Sequence, residues 1–366
     1  LIGSGYTADR AEILLPAIAW LDLWTMPIFF LLSGFGSWYS LKSRSGIRYL
    51  WERVTRLLIP FYTVGAFLLL PPQFYIDRVS HGRYSGSIWK LIPPHWDGHP
   101  TFRFRFDEPY LTNLWPGHLW FLQFLFTVSV LALPLLLLLR TGPGKRAIAW
   151  LAKWSARRGG IFLFTIPLIG VRIALRSTFH GEHSWADLAF YGVMFLIGAL
   201  FAGDERFLEG CKRHTWVCLA LGILAWVGEM VFILELRYPY PGFETFSGRY
   251  LLFQALMGIG SWSWIVFLLG LGARYFDVDS RVRAYASEAV LPFYLLHQTV
   301  ILLAGWWIIP LKWPILVSYP VITLVSFALI LAVYEVLIRR INPVRFLFGM
   351  RIKGRRLFVR RETGAR

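Results

Sequence analysis

Charged residues and cysteines are scarce in this sequence. Only 16% of its 366 residues are charged, whereas an ordinary soluble domain has about 25%. Its two cysteines, Cys211 and Cys218, support neither a disulfide framework nor a zinc site. The G-x-S-x-G motif of serine hydrolases is also missing. These absences argue against a soluble domain, a disulfide scaffold and a serine-hydrolase mechanism.

Apolar and aromatic residues are abundant instead. Hydrophobic residues make up 56% of the chain, which contains 18 Trp and 16 Tyr, and the mean hydropathy is +0.53. Trp and Tyr are typical of the aromatic belts at membrane–water interfaces. Because a span needs about 20 apolar residues, the pattern predicts an all-α polytopic membrane protein with about nine transmembrane helices. The predicted spans are 23–41, 57–76, 117–139, 160–176, 187–203, 215–235, 250–272, 287–309 and 317–338.

The basic residues predict the orientation of these spans. A net charge of +17 would suggest nucleic-acid binding in a soluble protein, but membrane proteins concentrate Lys and Arg in their cytoplasmic connections. Of the 38 Lys and Arg residues, 27 fall in five alternate connections, at 42–56, 140–158, 204–214, 273–284 and from 339 onward. We therefore predict that residue 1 lies outside, that the C-terminus is cytoplasmic, and that nucleic acid is not a partner.

This topology divides the chain into four segments. Residues 1–22 are expected on the outer side, and 23–338 form the transmembrane domain, which includes an extracytoplasmic loop at 77–116. Residues 339–366 form a basic cytoplasmic tail in which cations alternate with Phe, Leu and Val. Such clusters bind anionic headgroups, so anionic lipids are predicted partners.

Four motifs occur in the order known from one family of membrane enzymes. They are LWTMPIFFLLSGF followed by RYLWERVTRLLIPFY, GHLWFLQFLF, LPFYLLHQTVILL, and YEVLIRRINPVRFLFG. Through them, residues 22–349 resemble the acyltransferase-3 family, most closely its glucan-succinylating branch. The first helix of that family carries an Arg followed by a His, and nothing in 1–22 is similar to that motif. We therefore expect the sequence to begin just after that helix, so that a tenth helix precedes residue 1.

The resemblance implies an acyltransferase that is active if the full-length protein carries the missing His helix. It would move an acetyl or succinyl group from cytoplasmic acyl-CoA, a co-substrate, to a hydroxyl of a carbohydrate-type acceptor. It further implies a bacterial inner-membrane location, no permanently bound cofactor and no metal. Two alternatives stay open: a catalytically inactive structural subunit of a larger membrane complex, and a lipid or polyol transporter.

A basic stretch between the first two spans is the candidate site for the acyl donor. Arg48, Arg53 and Arg56 lie there, with Lys42 and Arg44 beside them. A guanidinium group binds phosphate oxygens through two parallel hydrogen bonds, and the resemblance implies that the three arginines bind acyl-CoA. The alternative is that these cations only fix the topology.

The SGF motif of the first span supplies two further candidates. Ser33 and Gly34 are predicted to let the backbone approach the narrow pantetheine chain of acyl-CoA. The alternative is that the glycine lets two helices pack closely.

Two histidines are the candidate catalytic residues. His118 begins a span at its outer end, and His297 is central in another span, where ionisable side chains are costly and usually face the bundle interior. O-acyl transfer needs a base for the hydroxyl proton and donors for the oxyanion. Interfacial anchoring of His118 and a helix-to-helix hydrogen bond from His297 are the alternatives. Trp120 and Asp22 are predicted supporting residues, because Asp22 can orient a histidine.

Two ion pairs are predicted among the remaining charges in the spans. Arg172 is expected to pair with Asp187 or Glu229 on another helix. Glu335 is expected to pair with Arg339 one turn further along its own helix. Neither pair is assigned a catalytic role.

Overall fold

The protein is built from helices. The computed structural model describes residues 8–90, 109–110, 116–234, 245–276 and 280–352. It is 85% helical, and the described ranges contain no strand, which confirms the predicted all-α membrane fold. Eight described helices are long and apolar enough to cross a membrane, namely Leu14–Lys42, Gly46–Ser80, Gly117–Leu139, Trp185–Gly203, Arg206–Leu234, Gly248–Tyr275, Arg281–Leu311 and Ile315–Ile338.

The ninth predicted span, 160–176, is helical but short. A five-residue 3-10 turn, Gly160–Phe164, leads into a twelve-residue α-helix, Thr165–Arg176. The α-helix rises about 18 Å and the 3-10 turn adds about 10 Å. Together the two pieces approach the thickness of the hydrocarbon core, about 30 Å, so the described residues contain eight long spans and one short candidate.

The α-helices are numbered here in chain order. They are α1 (Ala8–Lys42), α2 (Gly46–Arg53), α3 (Leu70–Ser80), α4 (Trp120–Leu139), α5 (Gly142–Ser155), α6 (Thr165–Arg176), α7 (Trp185–Gly203), α8 (Arg206–Leu234), α9 (Gly248–Tyr275), α10 (Arg281–Ile308), α11 (Ile315–Val333) and α12 (Asn342–Leu347). The first helix is longer than the predicted span, and it continues through Pro16 and Pro27, since transmembrane helices tolerate internal proline. The predicted N-terminal segment, outer loop and basic tail each lie partly outside the described residues.

Three π-helical segments occur within the described spans. They are Val54–Leu58, Phe61–Leu69 and Tyr334–Ile338. The longest follows Pro60 and ends where the N–H of Leu70 donates to the carbonyl of Gly65, five residues earlier. Proline lacks an N–H and disturbs the regular ladder, and π-helical turns are frequent at functional sites. Two of the three segments thus lie in the helix that leads to α3.

The chain divides into two compact units, which are described separately. Unit 1 comprises Leu1–Arg53, Trp96–Leu114 and Trp120–Asp279, and unit 2 comprises Val54–His95, Trp115–Leu119 and Ser280–Arg366.

In unit 1, α1 and α7 cross in direct backbone contact. A Cβ atom built on Gly34 would lie 1.8 Å from the carbonyl oxygen of Phe195, and one built on Gly198 would lie 1.8 Å from that of Leu31. Glycine commonly allows such close crossings of membrane helices. The two glycines therefore fix how α1 packs on α7.

Four of the five basic connections meet at one end of unit 1. Three hydrogen bonds tie them together, from Arg140 to the Leu41 carbonyl, from Arg206 to the Ala149 carbonyl, and from Arg274 to the Lys212 carbonyl. Because basic connections of a membrane protein face the cytoplasm, this shared end is the one that the predicted topology assigns to the cytoplasm.

In unit 2, a buried arginine holds α12 against α10. Arg345 donates to Glu288 Oε1 at 2.6 Å and to the carbonyl oxygens of Arg351 and Arg339 at 2.9 and 3.1 Å. The predicted pair between Glu335 and Arg339 is confirmed, with 2.9 Å between Oε1 and Nη1. The buried guanidinium of Arg345 is costly to disturb, because removing one of its partners leaves an uncompensated charge.

Candidate functional site

The two predicted catalytic histidines lie side by side in unit 2. Their ring centroids are 5.1 Å apart and the rings are nearly perpendicular, at 87°. His118 lies in the 3-10 turn Gly117–Leu119 that leads into α4. Gly117 has a φ of 47°, which few side-chain-bearing residues adopt, and Leu119 is fully buried with its side chain at Gly65. These two constraints direct the His118 ring towards α3 and α10.

Both ring nitrogens of His118 face oxygen acceptors. Nδ1 lies 3.1 Å from Oε1 of Gln73, and Nε2 lies 3.1 Å from the carbonyl oxygen of Leu295. The hydroxyl of Tyr294 donates to the carbonyl of His118 and holds its backbone. A neutral imidazole has only one N–H, so the imidazolium form alone can donate to both oxygens. The neutral ring can therefore donate to only one of these two oxygens at a time.

The orientation of Gln73 assigns a proton to His118 Nδ1. Nε2 of Gln73 donates to the carbonyl of Leu69 at 3.0 Å and to Oγ1 of Thr299 at 2.8 Å. Thr299 in turn donates to the same Leu69 carbonyl at 3.0 Å. Because both amide hydrogens of Gln73 have partners, its Oε1 is left to accept from His118 Nδ1. Leu69 ends the long π-helical segment, so that segment supplies the carbonyl that anchors this network.

His297 has one nitrogen held and one nitrogen available. Its Nδ1 lies 2.6 Å from the carbonyl of Tyr294, one turn earlier on α10, and this contact assigns the Nδ1 proton. Among the described residues, Nε2 of His297 has no hydrogen-bond partner and therefore presents a lone pair. Within the described residues, the predicted helix-to-helix hydrogen bond of His297 is not formed, because its partner Tyr294 lies on the same helix. His297 can accept a proton, whereas His118 has both nitrogens engaged.

The predicted donor residue Arg53 is anchored in unit 1. Its Nη2 donates to Oγ of Ser37 at 2.7 Å, and the guanidinium lies 4.8 Å from the centre of the Tyr49 ring. Tyr49 also donates to Ser37 Oγ, at 3.0 Å, and Ser37 donates to the carbonyl of Ser33 at 2.7 Å. The structure thus joins the SGF motif and the basic stretch through Ser37.

The other predicted donor cations are less constrained. Arg48 and Arg56 are exposed. Arg44 forms an ion pair with Glu52 at 2.6 Å, and the ammonium of Lys42 lies over the Tyr39 ring. The exposed side chains of Lys42, Arg48 and Arg56 are therefore accessible to an anionic ligand or to headgroups.

Gly34 lets two helices pack closely, which was the alternative to a role in substrate binding. Its Cα–H face is closed by the backbone of Phe195, which leaves no room for a pantetheine chain on that face. Ser33, next to it, is half-buried and engages Ser37 through its backbone. The structure therefore favours helix packing for Gly34.

The predicted supporting residues belong to unit 1. Trp120 is buried and its ring lies 4.1 Å from that of His183. Asp22 is exposed, and within the described chain it forms no hydrogen bond or ion pair with a histidine. The orienting role predicted for Asp22 is thus not visible in the described contacts.

The predicted pairing of Arg172 with Asp187 or Glu229 is wrong for the described structure. Asp187 pairs with Arg176, one turn beyond Arg172 on α6, and caps α7 together with Ser184. Arg172 forms no ion pair with Asp187 or Glu229 in the described structure. Its guanidinium carbon instead lies 5.3 Å from the centroid of the Phe190 ring, in a cation–π contact.

Sequence reasoning missed Gln73, Thr299, Ser37 and Tyr49. Gln73, Thr299 and Ser37 are uncharged polar residues in apolar spans, Tyr49 lies in the basic stretch, and buried polar groups are nearly always hydrogen-bonded. That signal marks such residues as contacts but does not name their partners. The described residues contain no group of three His, Cys, Asp or Glu that could hold a metal ion.

Comparison with known proteins gives the family. A family model described as an acyltransferase domain matches residues 5–335. The chain is similar to three curated proteins called glucans biosynthesis protein C. It is 25% identical to those of Salmonella typhi and Salmonella typhimurium and 26% identical to that of Salmonella schwarzengrund, over 342 residues that cover 88% of this chain and 81% of each relative. No solved structure matches. The family match covers most of the chain, and the protein is therefore a member of the acyltransferase-3 family of integral membrane proteins.

Proposed function

We propose that this membrane acyltransferase moves an acetyl or succinyl group from acyl-CoA at the cytoplasmic face to a hydroxyl of a glucan-type carbohydrate. The family supports acyl transfer, and the name of the similar Salmonella proteins supports a glucan as acceptor. The shared basic end of unit 1 supports a cytoplasmic donor, because coenzyme A carries phosphates that arginines bind. The bacterial inner membrane is the proposed location.

His297 is the proposed general base. Its Nε2 accepts the proton of the acceptor hydroxyl while the hydroxyl oxygen attacks the thioester carbonyl. The carbon–sulfur bond then breaks, the acyl group remains on the acceptor as an ester, and the departing thiolate takes up the proton. A hydroxyl and a thioester thus give an ester and a thiol, and no further reactant is needed.

His118 is proposed as a positioning residue. Its two nitrogens are engaged by Gln73 and Leu295, so it cannot offer one to substrate without losing a hydrogen bond. Its ring lies beside that of His297 and restricts where that ring can turn. A positioned base contributes about 10²–10⁴-fold to a rate.

Arg53 is the proposed principal contact to acyl-CoA. Two features hold its guanidinium in place, the hydrogen bond to Ser37 and the face of Tyr49. A pre-positioned fork loses less freedom when it binds phosphate. The observation that carries the whole proposal is the pair of adjacent histidines with one free Nε2, in a chain that belongs to an acyltransferase family.

The test is product formation in reconstituted vesicles. The full chain is inserted into liposomes, labelled acetyl-CoA or succinyl-CoA is supplied on one side, and a glucose oligosaccharide on the other. We expect acylated oligosaccharide, detected by mass spectrometry, only when the donor is at the cytoplasmic face. Movement of oligosaccharide or lipid without acylated product would favour a transporter. Absence of both activities in the longest natural form would favour an inactive subunit.

A further inference from the structure

Nine buried side-chain polar atoms of unit 1 have no hydrogen-bond partner within the described residues, and three of them belong to long polar side chains of α6, α8 and α9. These three are Nε of Arg172, Oε2 of Glu229 and Oε1 of Gln254. Arg172 is 9% exposed, Glu229 4% and Gln254 3%. An unsatisfied buried polar atom destabilises the folded state, and more so when the group is charged. Among the nine atoms, those of Arg172 and Glu229 belong to the ionisable side chains, and a buried ionisable group without a partner is the kind that most requires an explanation.

Helix packing brings Glu229 and Gln254 to the same level of the bundle. On α8 and α9, Ala225 contacts Gly260, and Phe232 contacts Phe253 with 5.3 Å between ring centroids. Glu229 lies between the two contacts along α8, and Gln254 lies between them along α9. Measured along the helix axes, the two residues are therefore separated by about one helical turn or less.

Arg172 belongs to the same layer. On α9, Tyr250 donates to the Ile173 carbonyl of α6 at 2.8 Å, and Gly258 packs against Ile169. Gln254 lies one turn from Tyr250 and one turn from Gly258, hence on the same face of α9. That face meets α6 beside Arg172. Within the described residues, Nε of Arg172 and Oε2 of Glu229 do not close into an ion pair.

The charges of this layer select the ligand chemistry. Arg172 can only donate hydrogen bonds, whereas the carboxylate of Glu229 and Oε1 of Gln254 can only accept them. The layer thus combines a group that only donates with groups that accept. A hydroxyl group both donates and accepts, so a neutral ligand with several hydroxyls can satisfy all three buried groups.

We propose that Arg172, Glu229 and Gln254 form the binding site in unit 1 for an uncharged, hydroxyl-rich ligand, a sugar unit of the carbohydrate acceptor. This inference rests on the proposed function for the identity of the ligand, but the site can be tested without any acyl transfer. Sugar hydroxyls accept from Arg172 and donate to Glu229 and Gln254.

The test measures binding of a glucose oligosaccharide to the full chain in lipid nanodiscs, without acyl-CoA, by calorimetry. Arg172→Met and Glu229→Gln are expected to weaken binding about tenfold or more, since each removes a charged hydrogen-bonding partner. Glu209→Gln is the matched control, because Glu209 is an exposed residue of the same helix, α8. It should bind as the wild type does. Equal binding by all three variants, or tighter binding of phosphoethanolamine than of the sugar, would overturn the proposal.

Thermal stability separates binding from a structural role. Removing a buried charge that has no partner relieves a desolvation cost, so Arg172→Met should melt at the same temperature as the wild type or higher while binding is lost. A fall in melting temperature that parallels the loss of binding would show a structural role and would refute the site. If the wild type binds sugar but never acylates it, the proposed function alone fails. If it acylates sugar while Arg172→Met and Glu229→Gln bind normally, this inference alone fails.

Discussion

Replacing Gly34 by alanine should destabilise the protein strongly. The new Cβ would lie 1.8 Å from the carbonyl oxygen of Phe195, whereas an ordinary contact of this kind is about 3.5 Å. The neighbour is backbone and cannot turn away, so α1 and α7 must separate by more than an ångström. Overpacking of this kind costs about 1–3 kcal/mol, and we expect the upper end, about 3 kcal/mol.

Gly36 provides a matched control on the same helix. A Cβ added there would meet nothing within 4 Å, so Gly36→Ala should gain helix propensity of about 0.5–1 kcal/mol. The two substitutions are chemically identical and should change stability in opposite directions. Equilibrium unfolding in mixed micelles, followed by tryptophan fluorescence, measures both.

The result also decides between the two interpretations of the SGF motif. Equal stability of the Gly34→Ala and Gly36→Ala variants would refute the close crossing of α1 and α7. If Gly34→Ala then lost affinity for acyl-CoA at unchanged stability, the glycine would face the substrate instead.

Three further predictions concern the hydrogen-bond network of His118, the donor site and the pH dependence of stability. Gln73→Leu removes the acceptor for His118 Nδ1, so kcat should fall about ten- to hundredfold with KM unchanged, and Gln73→Glu should restore part of the rate. A shift in KM alone would contradict a positioning role. Arg53→Lys should raise KM for acyl-CoA about tenfold with a smaller effect on kcat, because lysine lacks the bidentate fork of arginine. An unchanged KM would show that Arg53 does not bind the donor. Burial lowers the pKa of His183 below its ordinary 6.5, so the unfolded state binds a proton that the folded state rejects, and the free energy of unfolding should fall as pH drops below 6.5. His183→Asn, which tolerates the φ of 55°, should reduce that pH dependence, and a curve identical to the wild type would contradict it.

The fold class followed from the sequence because long apolar runs have few alternatives in a membrane. The ends of helices were harder to predict. The first helix begins at Ala8 rather than near 23, since polar residues and proline do not end a membrane helix as they end a soluble one. The pair Glu335–Arg339 was predictable because both residues lie on one helical face.

The candidate site was predictable only in part. Histidine is a residue type that is costly inside a membrane, so the position of His297 within a span indicated a role, whereas Arg53 was predicted through the resemblance to the family. Gln73 and Thr299 are 226 positions apart, and nothing in the sequence joins them. Asp187 was one of two partners expected for Arg172, yet it pairs with Arg176. Tertiary packing decides which of two cations one turn apart reaches a distant carboxylate.

The rate of acyl transfer by His297→Gln tests the central claim most directly. Glutamine fills a similar volume but cannot take up a proton, so the variant should transfer acyl groups about 10²–10⁴-fold more slowly than the wild type, with unchanged affinity for acyl-CoA. His81→Gln, at an exposed histidine after α3, should keep the full rate. A His297→Gln variant that transfers acyl groups within about threefold of the wild-type rate would contradict the assignment of His297 as the base.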